Sequence, residues 1–568
     1  MKFLPIDNIV ELNIALLHPP YIFHTNRYPI FPVPWSLSHV GSSRYVGIYP
    51  IGPHWELEPL GLNTIKNYME SNSNYSVEII NLAYLKEIIW EQMIKQNKEL
   101  SCLDRSIFYH IVEKNYPQNL KQILKTINAD LYAVDLHWLI YSQGAIEILK
   151  LIKGYHPNSY TVIGGITASY FSVEIMKSYS FIDFLIEGDG CIPLLELIKQ
   201  IKGDKCYENV PNLLFRRQGK LTRGQIIKYN DALYVEKDFH TSYNTVPTAR
   251  GCPLQCITCG GSKYFFKNVY GYNNIHIYSV DSILNKLFHL AKKPSKESPK
   301  VFLIHDPFIT LGKKKWEILL QEISRNCLNI KLIIEFFLPH SKEDIHKIAC
   351  AIPGSKIHIS PESIDEKARS FHKGIQYSND SLLMNLDVIN NIKELSMGVW
   401  FMIGLAKDTK QTIDYTLDFI KNYYKKIKKM GNINKNIIHY TELLYIDPGS
   451  LAYHFPKKFG YNLIYNSFKE YIESFIMPIF KYQINYQTKY FDRDQIFNMS
   501  LYMHNLMNII YYENHMISKK LFTRATLYNN LLKKYSSRYD EAITETDFTL
   551  RNKKFCKIGK NLMEELQD

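Results

Sequence analysis

Short apolar runs alternate with amphipathic stretches through the first third of the chain. Runs at 13–17, 77–81, 131–135, 160–163 and 184–186 have the length and β-branched content of strands. Between them, 62–69, 145–153 and 193–201 carry apolar residues at helical spacing. Strands alternating with helices predict right-handed βαβ units and an α/β, doubly wound parallel sheet. Ligands of such sheets sit beyond the carboxyl ends of the strands. Those ends carry His18-Pro19-Pro20, Asp135-Leu136-His137, Gly164-Gly165 and Gly188-Asp189-Gly190, where glycine lets backbone approach a bulky ligand.

The alternation pauses over 203–246, where a small hairpin is predicted to turn at Gln218-Gly219. It resumes from Pro247, with strands expected at 301–304, 331–336, 356–359, 398–402 and 437–444. With the strand that leads to Cys252 this makes about six βα units, a partial or full barrel. From Phe455 onward Tyr, Asn, Met and Leu recur at helical spacing. The expected organisation is a doubly wound domain at 1–202, a linker at 203–246, a barrel at 247–454 and a mostly helical region at 455–568.

Composition narrows the class. A chain of 568 residues, 46% hydrophobic and 22% charged, reads as a soluble protein of several domains. The first residues contain Asp7 and Glu11 and lack a small-residue cleavage site, so no secretory signal is expected. Apolar runs are short and broken by charge, so no membrane span is expected and the location is read as cytoplasmic. The net charge of +13 comes from lysines spread along the chain. Clusters such as Lys425 to Lys429 read as a solvated helix face rather than a nucleic-acid surface. Nine cysteines are no disulfide framework at this length, but Cys252, Cys256 and Cys259 fall together.

Three thiolates at C-x3-C-x2-C on one loop can hold three irons of a cubane cluster, leaving the fourth open to a small molecule. Structural zinc is the competing reading, giving a binding protein without catalysis. It needs four ligands, and no fourth Cys or His lies near in sequence.

The segment Arg250-Gly-Cys252-Pro-Leu-Gln-Cys256-Ile-Thr-Cys259-Gly260-Gly261 resembles the signature of the radical S-adenosylmethionine (SAM) superfamily. Thr258 departs from it, since an aromatic residue usually precedes the third cysteine. Four later segments resemble superfamily stretches in the expected order. These are Ile304-His305-Asp306-Pro307, then Ser360-Pro-Glu362-Ser363 with His372-Lys373-Gly374, then Trp400-Phe-Met-Ile-Gly404, and Asp447-Pro-Gly-Ser450. The resemblance implies a [4Fe-4S] cluster on the three cysteines and SAM chelating its open iron. One-electron reduction then cleaves SAM to methionine and a 5′-deoxyadenosyl radical, with flavodoxin or ferredoxin as the expected reducing partner. It places Gly260, Gly261, Asp306, Ser360 and Glu362 at SAM, with Asp306 toward the amino group. A strand-end cap is the other role open to Asp306.

The whole arrangement resembles a poorly characterised branch of cobalamin-binding radical SAM proteins. Further matching pieces are His18 to Tyr21, Glu58-Pro59-Leu60-Gly61-Leu62, Asp135-Leu-His137-Trp138, Gly164-Gly165-Ile-Thr-Ala-Ser169 and Asn485-Tyr486. The implied cobalamin site involves His137, Gly164, Gly165, Gly188 and Gly190. His137 imitates a cobalt-ligating D-x-H-x-x-G motif, but Ile140 stands in place of its glycine. A hydrogen-bonded structural histidine is therefore the alternative role, and no histidine is expected beneath the cobalt. Cys191 is read as a structural substitution. The implied activity is methylation of an unactivated carbon on an unidentified substrate, with cyclisation, rearrangement or oxidation as the alternative.

Overall fold

Two parallel sheets follow one another along the chain. The computed structural model describes residues 10–20, 59–83, 120–227, 245–292, 298–429 and 436–567. Tyr21, Glu58, the first nine residues and the stretch 228–244 of the joining segment lie outside them.

The first sheet contains β1 (Val10–His18), β2 (Val77–Asn81), β3 (Ile127–Asp135), β4 (Tyr160–Gly164), β5 (Phe184–Ile186), β6 (Leu213–Arg217) and β7 (Lys220–Arg223). Their order is β2-β1-β3-β4-β5-β6-β7, parallel through β5. Central strands are apolar on both faces because helices cover both. Ile14, Leu16, Leu131 and Val162 pack under helix Cys191–Lys202, while Ala15, Leu17, Val134 and Ile163 meet helix Ser142–Tyr155. The hairpin turns at Gln218-Gly219, with both residues at positive φ. It is more than a connection, because β6 pairs antiparallel with β5 and extends the first sheet.

The second sheet begins with β8 (Thr245–Pro247). A two-stranded ribbon, β9 (Ala249–Arg250) with β10 (His276–Ile277), follows. The sheet continues with β11 (Lys300–Ile304), β12 (Lys331–Phe336), β13 (Ser355–Glu362), β14 (Leu395–Ile403) and β15 (Ile437–Leu443). All six pair in parallel in the order β8-β11-β12-β13-β14-β15, a partial barrel with β8 and β15 at its edges. Alternation along each strand separates its two faces. Val301, Leu303, Leu332, Ile334, Ile357, Ile359, Met397 and Val399 pack outward against the helices. Phe302, His358, Trp400 and His439 fall on the other face and touch in series, at ring distances of 6.3, 4.4 and 4.9 Å.

The final region is mostly helical, as its periodicity predicts. It contains helices Phe468–Phe475, Arg493–Glu513, Lys519–Ile543 and Phe548–Gln567, with β16 (Tyr461–Leu463) paired to β17 (Tyr486–Thr488). Helix Arg493–Glu513 starts with a capping box between Asp492 and Gln495. It lies against the β15 edge, where the Tyr511 hydroxyl donates to the Ile438 carbonyl at 2.8 Å. The region also shares one apolar core with the first domain, where Phe171 meets Phe468 at 5.5 Å and Tyr471 at 6.1 Å. The closing helices thus join the two sheets. Phe468→Ala should cost about 3–5 kcal/mol, measured as a lower urea midpoint. An unchanged midpoint would show that this contact does not hold the halves together.

Candidate functional site

Strand β8 delivers the chain to the carboxyl end of the barrel, where Thr248 donates to the Ile304 carbonyl. Gly251 turns the chain at φ 89°, and the three cysteines follow on the loop. Backbone bonds from remote segments strap this loop. Ile257 N–H donates to the His372 carbonyl at 2.9 Å, and the Ile257 carbonyl accepts from Ala452 N–H at 2.7 Å. Asp447 N–H donates to the Thr258 carbonyl at 3.0 Å, and the Asp447 carboxylate accepts from Gly260 N–H at 2.9 Å. The His372-Lys373-Gly374 and Asp447-Pro-Gly-Ser450 segments therefore flank the cysteines in space.

Cys252, Cys256 and Cys259 are each half-buried. Burial pushes their thiols up, Cys252 to about 11, Cys256 to about 12 and Cys259 well above the usual value. Cys256 also feels Cys252, and Cys259 feels both, which raises each of them further. A set of this kind ionises when a cation arrives to take the charge. Gly261 N–H already points at Cys259 Sγ, at 3.3 Å. Among the described residues no three Cys, His, Asp or Glu side chains gather at single-metal distance. One zinc ion requires ligands that converge on a point, whereas a cubane accepts each thiolate on a different iron. The donor set, three thiols on one loop, fits the cluster.

Beside the thiols lies a polar group of side chains. Residues 360–361 form a bulge in β13 and Glu362 takes a φ of 66°, re-aiming its side chain. Burial pushes its carboxyl up to about 7 against the pull of Lys373, and its Oε2 has no hydrogen-bond partner among the described residues. Lys373 donates to the Ser360 carbonyl at 2.6 Å. Burial works against its charge, but Glu362, Cys256, Tyr377 and Glu335 hold its pKa above the usual lysine value. Glu335 accepts from His305 N–H at 2.8 Å. His305 itself is held at φ 70° with its Nδ1 unpartnered. Strained backbone at two strand ends marks a place where function sets the conformation.

Asp306 takes the strand-end cap role that its position left open. It is completely buried, and both oxygens are engaged, by Phe308 N–H at 2.9 Å and by Phe337 N–H and His340 Nε2 at 2.8 and 3.0 Å. Sequence reasoning passed over Glu335 and left Lys373 as part of a motif. The signal for Glu335 was an acidic residue inside the apolar run Lys331–Phe336.

The first domain reaches the same place. The Trp138 ring abuts Gly261, where an added Cβ would stand 3.2 Å from it. At Gly260 a Cβ would come within 2.8 Å of Asp447, so packing there favours glycine. Gly165, at φ 111°, lies so close to the Leu136 carbonyl that a Cβ would approach to 2.7 Å. A Cβ on Gly190 would meet Ile65 at 3.0 Å, whereas Gly164 and Gly188 have room for one. Asp189, between Gly188 and Gly190, is buried and paired with Arg250 at 2.7 Å. It also accepts from Tyr272 at 2.7 Å and from Cys191 N–H at 3.0 Å. Burial would raise its carboxyl, but Arg250 and these donors hold it below the usual range. Cys191 is fully buried and its thiol is pushed up by that burial, as a structural residue's would be. His137 is lowered to about 4, by burial first, and packs edge-on to Trp138 at 4.8 Å. The Asp135 carboxylate turns instead to His18, at 2.9 Å.

No protein-family profile matches the chain. An uncharacterised methyltransferase of Pyrococcus horikoshii is 20% identical over 60% of this chain and 72% of its own length. The anaerobic magnesium-protoporphyrin IX monomethyl ester cyclase of Cereibacter sphaeroides is 21% identical over 48% of this chain and 46% of its own. Among solved structures, the radical SAM methyltransferase TsrM of Kitasatospora setae, with cobalamin and a [4Fe-4S] cluster bound, superposes with a TM-score of 0.54. That match is 12% identical and covers 98% of this chain and 100% of TsrM. The cobalamin-dependent radical SAM enzyme OxsB, with aqua-cobalamin and SAM bound, gives 0.53 at 15% identity, over 99% of this chain and 79% of its own. This chain has the fold of cobalamin-dependent radical SAM enzymes. Among the described residues no helix is long and apolar enough to cross a membrane.

On β15, burial pushes the Glu442 carboxyl up to about 7. An unfolded glutamate titrates near about 4.3. Its contribution to stability is therefore complete below that value and lost as pH rises through about 7. Glu442→Gln, which cannot ionise, should gain on the wild type in urea midpoint between about pH 5 and about pH 8. A constant difference across that range would show that Glu442 ionises like a surface carboxylate.

Proposed function

We propose that the chain is a radical SAM enzyme that methylates an unactivated carbon of its substrate with cobalamin as methyl carrier. The observation that carries this reading is the position of the three thiols. They lie on a strapped loop at the mouth of a partial barrel, and Trp138 of a doubly wound domain presses on that loop from the other side. Cys252, Cys256 and Cys259 would hold the [4Fe-4S] cluster. Lys373 offsets the negative charge that the three thiolates bring. When bound, the cluster supplies the electron that cleaves SAM, and cobalamin supplies the methyl group. Glu362, with an unpartnered oxygen, is available to a SAM hydroxyl or ammonium, and Gly260 and Gly261 bring backbone close to the cluster edge. The inner face, with Trp400 between His358 and His439, is where the substrate would enter.

Similarity to a protoporphyrin ester cyclase favours a second reading, cyclisation without methyl transfer. Fold alone does not choose between the two. The test is anaerobic reconstitution with iron, sulfide and hydroxocobalamin, followed by desalting and measurement of iron and cobalt. Iron with stoichiometric cobalt supports the first reading, and transfer of label from methyl-labelled SAM to product completes it. Iron without cobalt moves the assignment to the second. Cys256→Ala should lose the cluster's charge-transfer absorption and at least a thousandfold of SAM cleavage while the chain stays folded. Retained cleavage would overturn both readings.

A further inference from the structure

The strand order β2-β1-β3-β4-β5 of the first sheet reverses between β1 and β3. In doubly wound sheets the crevice beyond the strand ends at such a reversal is where a ligand settles. The last residues of those two strands are His18 and Asp135, and they are bonded to each other. Both Asp135 oxygens face His18 Nδ1, at 2.9 and 3.1 Å. A carboxylate accepts, so Nδ1 donates, and in a neutral ring the lone pair then lies on Nε2. That Nε2 is buried and has no hydrogen-bond partner among the described residues. The ring is fixed in place, with the Tyr141 ring edge-on at a 4.9 Å centroid distance.

A histidine that serves structure alone commonly satisfies both ring nitrogens when buried. One whose Nδ1–H is held by a carboxylate while Nε2 stays open has the arrangement of a metal ligand, because the carboxylate sets the tautomer, fixes the ring and raises its basicity. His137 lacks this arrangement. The carboxylate two residues before it is committed to His18, and its own carbonyl accepts from Thr167 N–H and hydroxyl.

We propose that His18 Nε2 is the lower axial ligand of cobalt, with Asp135 as its positioning residue. The inference rests on the cobalamin reading above and deepens it. A cobalt–nitrogen bond forms to Nε2. Where the cofactor arrives with its own nucleotide base attached, that base's cobalt–nitrogen bond breaks, and no electron or proton is exchanged. The proposal departs from the expectation of no histidine beneath the metal, which was drawn from His137 alone.

The test is electron paramagnetic resonance of the full chain loaded with cob(II)alamin under anaerobic conditions and freed of excess cofactor. One axial nitrogen splits the cobalt lines into triplets. Preparing wild-type protein with histidine isotopically labelled in its ring nitrogens should convert triplets to doublets. His18→Gln should abolish that label-dependent splitting, and His137→Gln should leave it intact. Bound cobalamin whose triplets ignore the label, or which shows no nitrogen splitting, overturns the His18 assignment and leaves the proposed function standing. A chain that retains no cobalt overturns the cobalamin reading and this inference with it. The labelling arm uses wild-type protein, so misfolding of a variant does not obscure the answer.

Discussion

The arrangement of this molecule depends on one short piece of backbone. Ile257, between the second and third cysteines, donates to His372 and accepts from Ala452, so both its N–H and its carbonyl are bonded to chain more than a hundred residues further on. A loop carrying three thiols gains nothing by folding in isolation, since its sulfurs repel once ionised. It needs an outside template that fixes where each sulfur points. The template has three parts: the end of helix Glu366–Lys373, the turn that begins at Asp447, and the Trp138 ring against Gly261. The first two belong to the barrel, the third to the first domain. The site therefore forms only when both sheets and the turn after β15 are in place.

A second tie works at the entry to the loop. Arg250 lies two residues before Cys252 and pairs with Asp189, which sits in the turn after β5. Such a buried pair is expensive to desolvate, and removal of one partner leaves an uncompensated charge. Tyr272 and the Cys191 N–H complete the carboxylate's bonds, so the pair is satisfied rather than merely adjacent. It joins the ligand-facing end of the first sheet to the strand that feeds the cysteine loop. Any ligand above the first sheet and any ligand at the three thiols are thereby held in one fixed relation.

Sequence periodicity revealed what repeats and missed what is unique. β2 and β5 have the limits the runs predict, β5 as a wholly buried apolar run and β2 as an edge strand closed by Asn81. The hairpin turn was equally plain, since Gly219 supplies a positive φ. Its pairing with β5 was not, because antiparallel addition at an edge leaves no periodic trace. The cysteines were legible through spacing alone. Asp306 was not, because one letter at a strand end serves a cap or a ligand equally well, and only its three bonds decide. The His18–Asp135 pair was hidden for a similar reason. The residues are 117 positions apart, and what makes them notable is the open nitrogen.

The electrostatics of the barrel mouth follow a single logic. Glu335 and Glu362 are both raised by burial, so each tends toward its neutral form, while Lys373 between them stays charged. A lone buried ammonium ordinarily gives up its proton. Lys373 keeps it because the carboxyls and the Cys256 thiol answer its charge from several directions. Ionising three thiols there would add negative charge beside two carboxyls that already resist it. Lys373, at the end of helix Glu366–Lys373, answers that charge, so the mouth can accept an anionic group on its thiol side.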